Sequence, residues 1–362
     1  MTTIEQSIQS AQESISQRRP YDALSALTPL LASNNDNAEL LQTLATAHLE
    51  VSALPEEADG ETHAEKAYEY FVKAANLDDS NGKGDHAKYL WLGQLSGGRD
   101  AVEWFRKGCN GLRKDLSSED VEDEKKVELR KKLCDALCAS VEIWMTDLCM
   151  EPEAESTCDA LITESLMIDA NHPESYSTLA SIRLSQQRPD DARIAVQRSW
   201  ELFNASAEAQ RLNQSLSEYG SDEVAQITAL KNLTRLSIET ELHDLAEEAC
   251  KLILALDEDI AEVWYLAGLT AAQKYGKSGD PAVLTAAYES FLNALELTEN
   301  GGGDEPEELA DELKQRLAET EAEMANRGLP TVDAAASAGK GRRHGAGAGR
   351  EGDEEDEDED ED

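Results

Sequence analysis

Apolar residues recur along this chain at intervals of three and four, the spacing of amphipathic helices and not the alternation of half-buried strands. From Pro173 onward, Tyr176, Leu179 and Ala180 share one face of a first helix, and Ala192, Val196 and Ser199 share a face of a second. Between them, Gln186-Gln187-Arg188-Pro189-Asp190 carries the polar and proline signals of a turn. The order returns about every 34 residues. Leu230, Leu233 and Thr234 are followed by Ala246, Cys250 and Ile253, and Trp264, Ala267 and Gly268 by Ala287, Phe291 and Ala294. Nearer the N-terminus, Leu41, Leu44 and Ala45 pair with Ala67, Phe71 and Ala74 across an acidic insertion, Glu56-Glu57-Ala58-Asp59-Gly60-Glu61. Tyr89, Leu92 and Gly93 pair with Ala101, Phe105 and Gly108. Two less regular units complete the series: residues 7–31, with Ala11, Ala23, Leu27 and Leu30, and residues 122–168, whose first helix is long. Extra residues around 275–284 predict a lengthened turn that takes in Gly276-Lys277-Ser278-Gly279.

Glycine or alanine where two helices cross lets their backbones approach to a distance that leucine would forbid. A bulky residue, Leu and a small residue, then Ala, an aromatic or aliphatic and Ala, is similar to the tetratricopeptide pattern. The expected fold is all-α, a tetratricopeptide-repeat superhelix (α-solenoid) of about seven helix-turn-helix units over 1–300. After Gly301-Gly302-Gly303, Leu309, Leu313, Leu317 and Met324 predict a capping helix over 303–326, which covers the core face that a last repeat leaves open. Over 327–362, glycine, alanine and charge replace apolar periodicity, and a disordered tail is expected.

Charge changes the picture from fold to partner. The chain has 75 Asp and Glu against 33 Lys and Arg, a formal −42, and ten of those acids are the last ten residues, so −32 remains without them. Such a surface repels nucleic-acid phosphates and anionic lipid, and attracts basic proteins. No apolar run reaches the roughly 18–20 residues of a membrane span. Nucleic acid and membrane are therefore not expected partners, and a free chain is expected to be monomeric. The polar start Met1-Thr2-Thr3-Ile4-Glu5 does not read as a secretory signal, so the six cysteines read as free thiols in a reducing compartment.

Candidate chemistry is sparse. Cys134 and Cys138 stand one helical turn apart without a second Cys/His pair at finger spacing, which favours core packing over a metal. The six histidines fall at turns and helix faces with no catalytic pattern and read as solvated or turn residues. Gly276-Lys277-Ser278-Gly279 lacks the upstream glycine and strand of a phosphate loop. Neither enzyme activity nor a cofactor is expected. In arrays of this type the first helix of each unit lines a concave groove, and the register puts Glu39, Glu50, Glu174, Glu239, Glu262 and Tyr265 there as the candidate client-binding residues, with Lys231 and Arg235 beside them.

Over nearly its whole length the chain resembles the fungal dedicated assembly chaperones of large-subunit ribosomal protein four. The residues that carry this are the opening Ile4-Glu5-Gln6-Ser7, the insertion at 56–61, Tyr68-Glu69-Tyr70-Phe71, and Gly341-Arg342-Arg343 ahead of the acidic run. The resemblance implies a chaperone that shields the basic extension of its newly made client and accompanies it from cytoplasm to nucleus for ribosome assembly. Two other readings stay open: a co-chaperone gripping an acidic C-terminus, for which Lys231 and Arg235 would be the clamp, and a scaffold subunit of a larger complex.

Overall fold

The computed structural model describes residues 3–54, 59–81, 86–214, 223–300 and 307–330. These hold fifteen α-helices and, among the described residues, no strand. The chain divides into two compact units, Met1–Tyr219 and Gly220–Asp362.

The first unit contains α1 (Ile4–Ser16), α2 (Pro20–Leu31), α3 (Ala38–Ser52), α4 (Gly60–Asn81), α5 (Ala87–Gln94), α6 (Gly98–Leu116), α7 (Asp123–Met145), α8 (Ala154–Ile168), α9 (Pro173–Ser185) and α10 (Pro189–Gln214). Successive helices pack as hairpins, and first helices of neighbouring repeats also meet, α1 with α3, α5 with α7 and α7 with α9. The second unit contains α11 (Glu223–Glu239), α12 (His243–Leu256), α13 (Ala261–Ser278), α14 (Pro281–Asn300) and α15 (Glu307–Asn326). There α11 pairs with α12, α13 with α14, and α15 covers α14. The tetratricopeptide fold read from the sequence is thus the observed one.

Local chemistry sets the helix starts. Thr3 and Gln6 form a capping box, each side chain accepting from the other's backbone N–H. Pro20 and Pro173 occupy first turns, where a missing N–H costs nothing. The hairpin turns of α1–α2, α9–α10 and α11–α12 pass through a single left-handed residue, Arg18, Gln187 and Glu241, whereas α5–α6 and α13–α14 use Gly98 and Gly279.

The small positions sit under aromatic rings. A Cβ on Gly93 would stand 2.8 Å from the Phe105 ring, and one on Gly268 would stand 2.5 Å from Phe291. Phe71, Phe105 and Phe291 are all sealed from water. Where the partner is smaller, Val196 or Cys250, the register-equivalent position holds a larger side chain, Ala180 or Thr234. Volume is thus traded between the glycine pairs and the Ala180 and Thr234 pairs, as close packing requires. Ser199 belongs to the same seam, donating to the Pro173 carbonyl at 2.9 Å.

Several expectations change. The extra residues at 275–284 do not lengthen a turn. They add helical turns to α13 and α14, which leaves Gly279, at φ 65°, and Asp280 as the link. A run of Ala, Tyr and Leu flanking a glycine sustains helix once a neighbouring helix covers it. His48 is buried within α3, and His172 and His243 stand at helix starts beside turns, as expected, but are buried there. The insertion is described only in part: 55–58 fall outside the described residues, and Gly60 and Glu61 open α4. The triglycine at 301–303 and the tail from 331 also lie outside them.

His48 gives a prediction. Its Nδ1 lies 3.0 Å from His63 Nδ1, and burial, then His63 and Lys66, lowers its pKa to about 4. A neutral ring is therefore what the fold holds. The unfolded chain takes up a proton near pH 6.5 and the folded chain only near 4, so this stabilisation is complete above about pH 6.5 and is lost as pH falls towards 4. Between pH 7 and about pH 5 the native chain should lose about 2 kcal/mol relative to His48→Gln, read by urea unfolding. Parallel pH profiles for the two chains would contradict the assignment.

Candidate functional site

The first helices carry every candidate residue from the sequence. Glu39 in the first turn and Glu50 in the last turn of α3 are exposed, as is Glu239 at the end of α11. Glu174 stands in the first turn of α9, half-buried. Its carboxyl is pushed up to about 7 by burial first, and then by the charges of Glu142 and Asp135, against which His172 acts. Glu142 reaches solvent, yet the protein around it raises its carboxyl too. The packing of α7 on α9 thus brings three carboxylates together: Asp135, Glu142 and Glu174.

Only Glu174 of these was among the sequence candidates. Asp135 and Glu142 were missed because the long α7 belongs to an irregular unit with no assigned register. A signal existed: the two are seven apart, on the face opposite Leu133, Leu137 and Val141. No lysine or arginine among the described residues forms an ion pair with Glu142 or Glu174, whereas many arginines of this unit are already engaged. Arg113 holds Glu164 through two bonds of 2.6 and 2.9 Å, Arg183 holds Asp159 at 2.7 Å, and Arg99 holds Glu151 at 2.8 Å. What remains is a carboxylate group crowded by its own kind, which a cation would relieve.

In the second unit the candidates are differently placed. Glu262 accepts from Lys231 at 2.7 Å and from Arg235, so two cations of α11 neutralise it. Tyr265 donates to Glu312 of α15 at 2.6 Å, and burial together with Glu312 pushes its hydroxyl up to about 12. Arg316 lies 3.4 Å from the same Glu312. These side chains tie α11 to α13 and α13 to α15, and Glu239 is left as the exposed acid of the three.

Beneath the α7–α9 carboxylates lies a buried polar chain with the composition of a catalytic triad. His172 Nδ1 accepts from the Ser175 N–H at 3.2 Å and lies 2.8 Å from Ser175 Oγ, which leaves the proton on Nε2 to bond Asp135 Oδ1 at 2.9 Å. Ser175 Oγ is also 2.6 Å from Ser165 Oγ, and the Cys138 thiol approaches it at 3.8 Å. Ser175 is fully enclosed, so no substrate reaches it, and His172 serves as the N-cap of α9. Burial pushes the Cys138 thiol up to about 12 and raises that of Cys134, whose thiol donates to the Ser165 carbonyl, so both pack as protonated thiols. Among the described residues no group of three or more His, Cys, Asp or Glu could hold a metal. His172→Ala removes a cap and strands Ser175 and Asp135, and should cost about 2–4 kcal/mol by urea unfolding. His172→Asn, which can still cap, should cost clearly less.

No protein-family model matches the chain. Over 293 residues it is 29% identical to the probable assembly chaperone of rpl4 of Schizosaccharomyces pombe, covering 76% of this chain and 81% of that protein. It is 32% identical over 249 residues to the probable assembly chaperone of rpl4 of Emericella nidulans, covering 66% of this chain and 56% of that one. The solved structure of residues 1–338 of the Assembly Chaperone of RpL4, Acl4, is similar with a TM-score of 0.63 and 27% identity, covering 76% of this chain and 98% of that structure. Chaperones of rpl4 are thus its relatives in sequence and in structure.

Proposed function

We propose, from these relatives, that the chain is a dedicated assembly chaperone of rpl4, which binds and shields that ribosomal protein until it meets ribosomal RNA. The observation that carries the reading on the side of the chain itself is the carboxylate group Asp135, Glu142 and Glu174, in which Glu142 and Glu174 have no lysine or arginine partner among the described residues. A segment made to lie against RNA phosphates is rich in lysine and arginine and stays soluble only while those charges are matched. Carboxylates held close together by packing supply the match without RNA. RNA, with denser charge, would displace them at assembly.

Glu39 and Glu50 add further acid on α3 of the first unit in this reading, and Glu239 adds its own in the second unit, where Glu262 and Tyr265 act through the helices they fasten. We read the activity as binding, with the Ser175 network and the protonated thiols of Cys134 and Cys138 serving the core. The protein would work in both cytoplasm and nucleus, because ribosomal proteins are made in one and assembled in the other. A clamp for an acidic C-terminus has less support, as Lys231 and Arg235 already hold Glu262. Affinity purification of the full chain followed by mass spectrometry at low and high salt tests the reading. Recovery of rpl4 at low salt and its loss at high salt is expected; recovery of no basic ribosomal protein would refute it.

A further inference from the structure

The α13 repeat departs from its siblings at one packing position. Three places after the first bulky residue the other repeats have leucine: Leu44, Leu92, Leu179 and Leu233. Here the residue is Ala267, and one turn on comes Ala271. Losing a leucine from a packed seam leaves a void unless the neighbours collapse into it. They have not. A groove of about 580 Å³, wholly within the second unit, runs over Trp264, Ala267 and Ala271 between Leu254 of α12 and Ala286 of α14. Its polar edges are tied down. The Trp264 indole donates to the Glu258 carbonyl at 2.8 Å, Lys274 is held by Asp244 at 2.8 Å and Glu247 at 2.5 Å, and Lys251 is held by the same Glu247 at 2.5 Å. What is left to cover is apolar.

The charge around the groove says what covers it. At the Lys274 end two lysines face two carboxylates, and that end is matched. At the other end the α12–α13 turn brings Asp257, Glu258 and Asp259, all exposed, with Glu258 fixed there by its bond to the Trp264 indole. Glu248 and Glu289, also exposed, stand two helical turns from the groove residues Ala255 and Ala282, and so on its α12 and α14 rims. No lysine or arginine among the described residues pairs with any of these five acids. An acidic rim around an apolar floor disfavours a second copy of this chain, at −42, and any polyanion. It fits a segment with apolar side chains to fill the groove and lysine or arginine beside them. A newly made ribosomal protein that has not met its RNA exposes both.

We propose that this groove is a second contact for the client, taking an apolar segment of rpl4 whose lysines or arginines lie towards the Trp264 end, an inference that rests on the chain being a chaperone of rpl4. The test is calorimetry of the full chain with purified rpl4 at about 0.1 M and about 0.3 M salt. Ala267→Leu, the residue its siblings carry and so one that the fold accepts, fills the groove without touching a charge. It should weaken binding at least about tenfold, by the same factor at both salts, and make the heat-capacity change of binding less negative, because less apolar surface is buried. Ala286→Arg, at an exposed place in the groove wall, should also cost at least about tenfold, whereas Ala325→Arg, equally exposed on α15 and outside the groove, should stay within about twofold. Binding at native strength by either groove variant, or an equal loss from Ala325→Arg, would overturn this proposal alone. A native chain that does not bind rpl4 would overturn the chaperone reading and this proposal with it.

Discussion

Reversing charge at Glu142 and Glu174 together, to lysine, should weaken binding of rpl4 by at least about 100-fold, close to 3 kcal/mol, while leaving the helical signal of the chain intact. The two carboxylates crowd each other at the meeting of α7 and α9, and for Glu174 burial comes first in raising its pKa to about 7. An incoming lysine or arginine would pair with the ionised form and pull that value down. Affinity should therefore rise as pH increases through about 7, because below it a proton must leave Glu174 before the cation can be matched. Stability should move the other way. The folded carboxyl ionises only above the value it has when unfolded, so its charge destabilises the fold above about pH 7, and the loss is recovered as pH falls through 7 towards 4.5. Glu174→Gln should accordingly stabilise the chain at pH 8 by on the order of 2 kcal/mol while weakening rpl4 binding. Reversing the exposed pair Glu39 and Glu50 instead should cost much less, since exposed charges are well screened. Calorimetric titrations of the variants across pH check the statements on affinity, and urea unfolding across the same pH range checks those on stability. Equal losses from both pairs would mean diffuse attraction and no site.

Gly268→Leu should be the most destabilising single change in the second unit, at about 3 kcal/mol or more, because the first added carbon already falls 2.5 Å from the buried Phe291 ring. Gly268→Ala should cost about 1–3 kcal/mol for the same reason. Shortening the ring in the double variant Gly268→Leu, Phe291→Ala should recover part of the loss, and that coupling distinguishes a specific clash from a general intolerance of leucine. A thermal melt followed by circular dichroism is sufficient. A melting curve unchanged by Gly268→Leu would show that the repeat register is wrong.

The repeats were legible because packing repeats. Tyr89, Leu92 and Gly93, or Trp264, Ala267 and Gly268, recur at spacings only a helix can bring to one face, and Phe105 and Phe291 came out over the glycines that the register pairs with them. The candidate site was legible only where that register held. Glu174 belongs to the clearest repeat and was found; Asp135 and Glu142 lie on α7, whose length and irregular pattern offered no offset to count from. Nor can one sequence show which charges are already matched. Glu262 looked like Glu174 until Lys231 and Arg235, a repeat away in the chain, proved to converge on it. The His172 network was invisible for the same reason, since Asp135 reaches it across 37 residues of chain.

The most direct measurement is the affinity of the purified full chain for purified rpl4 by calorimetry at about 0.1 M and about 0.5 M salt, for the native chain and for the Glu142→Lys, Glu174→Lys variant. A tight native complex is expected at low salt, weakened at least tenfold at high salt, with a variant that binds poorly at both. A native complex indifferent to salt, or a variant that binds rpl4 as tightly as the native chain, would contradict it.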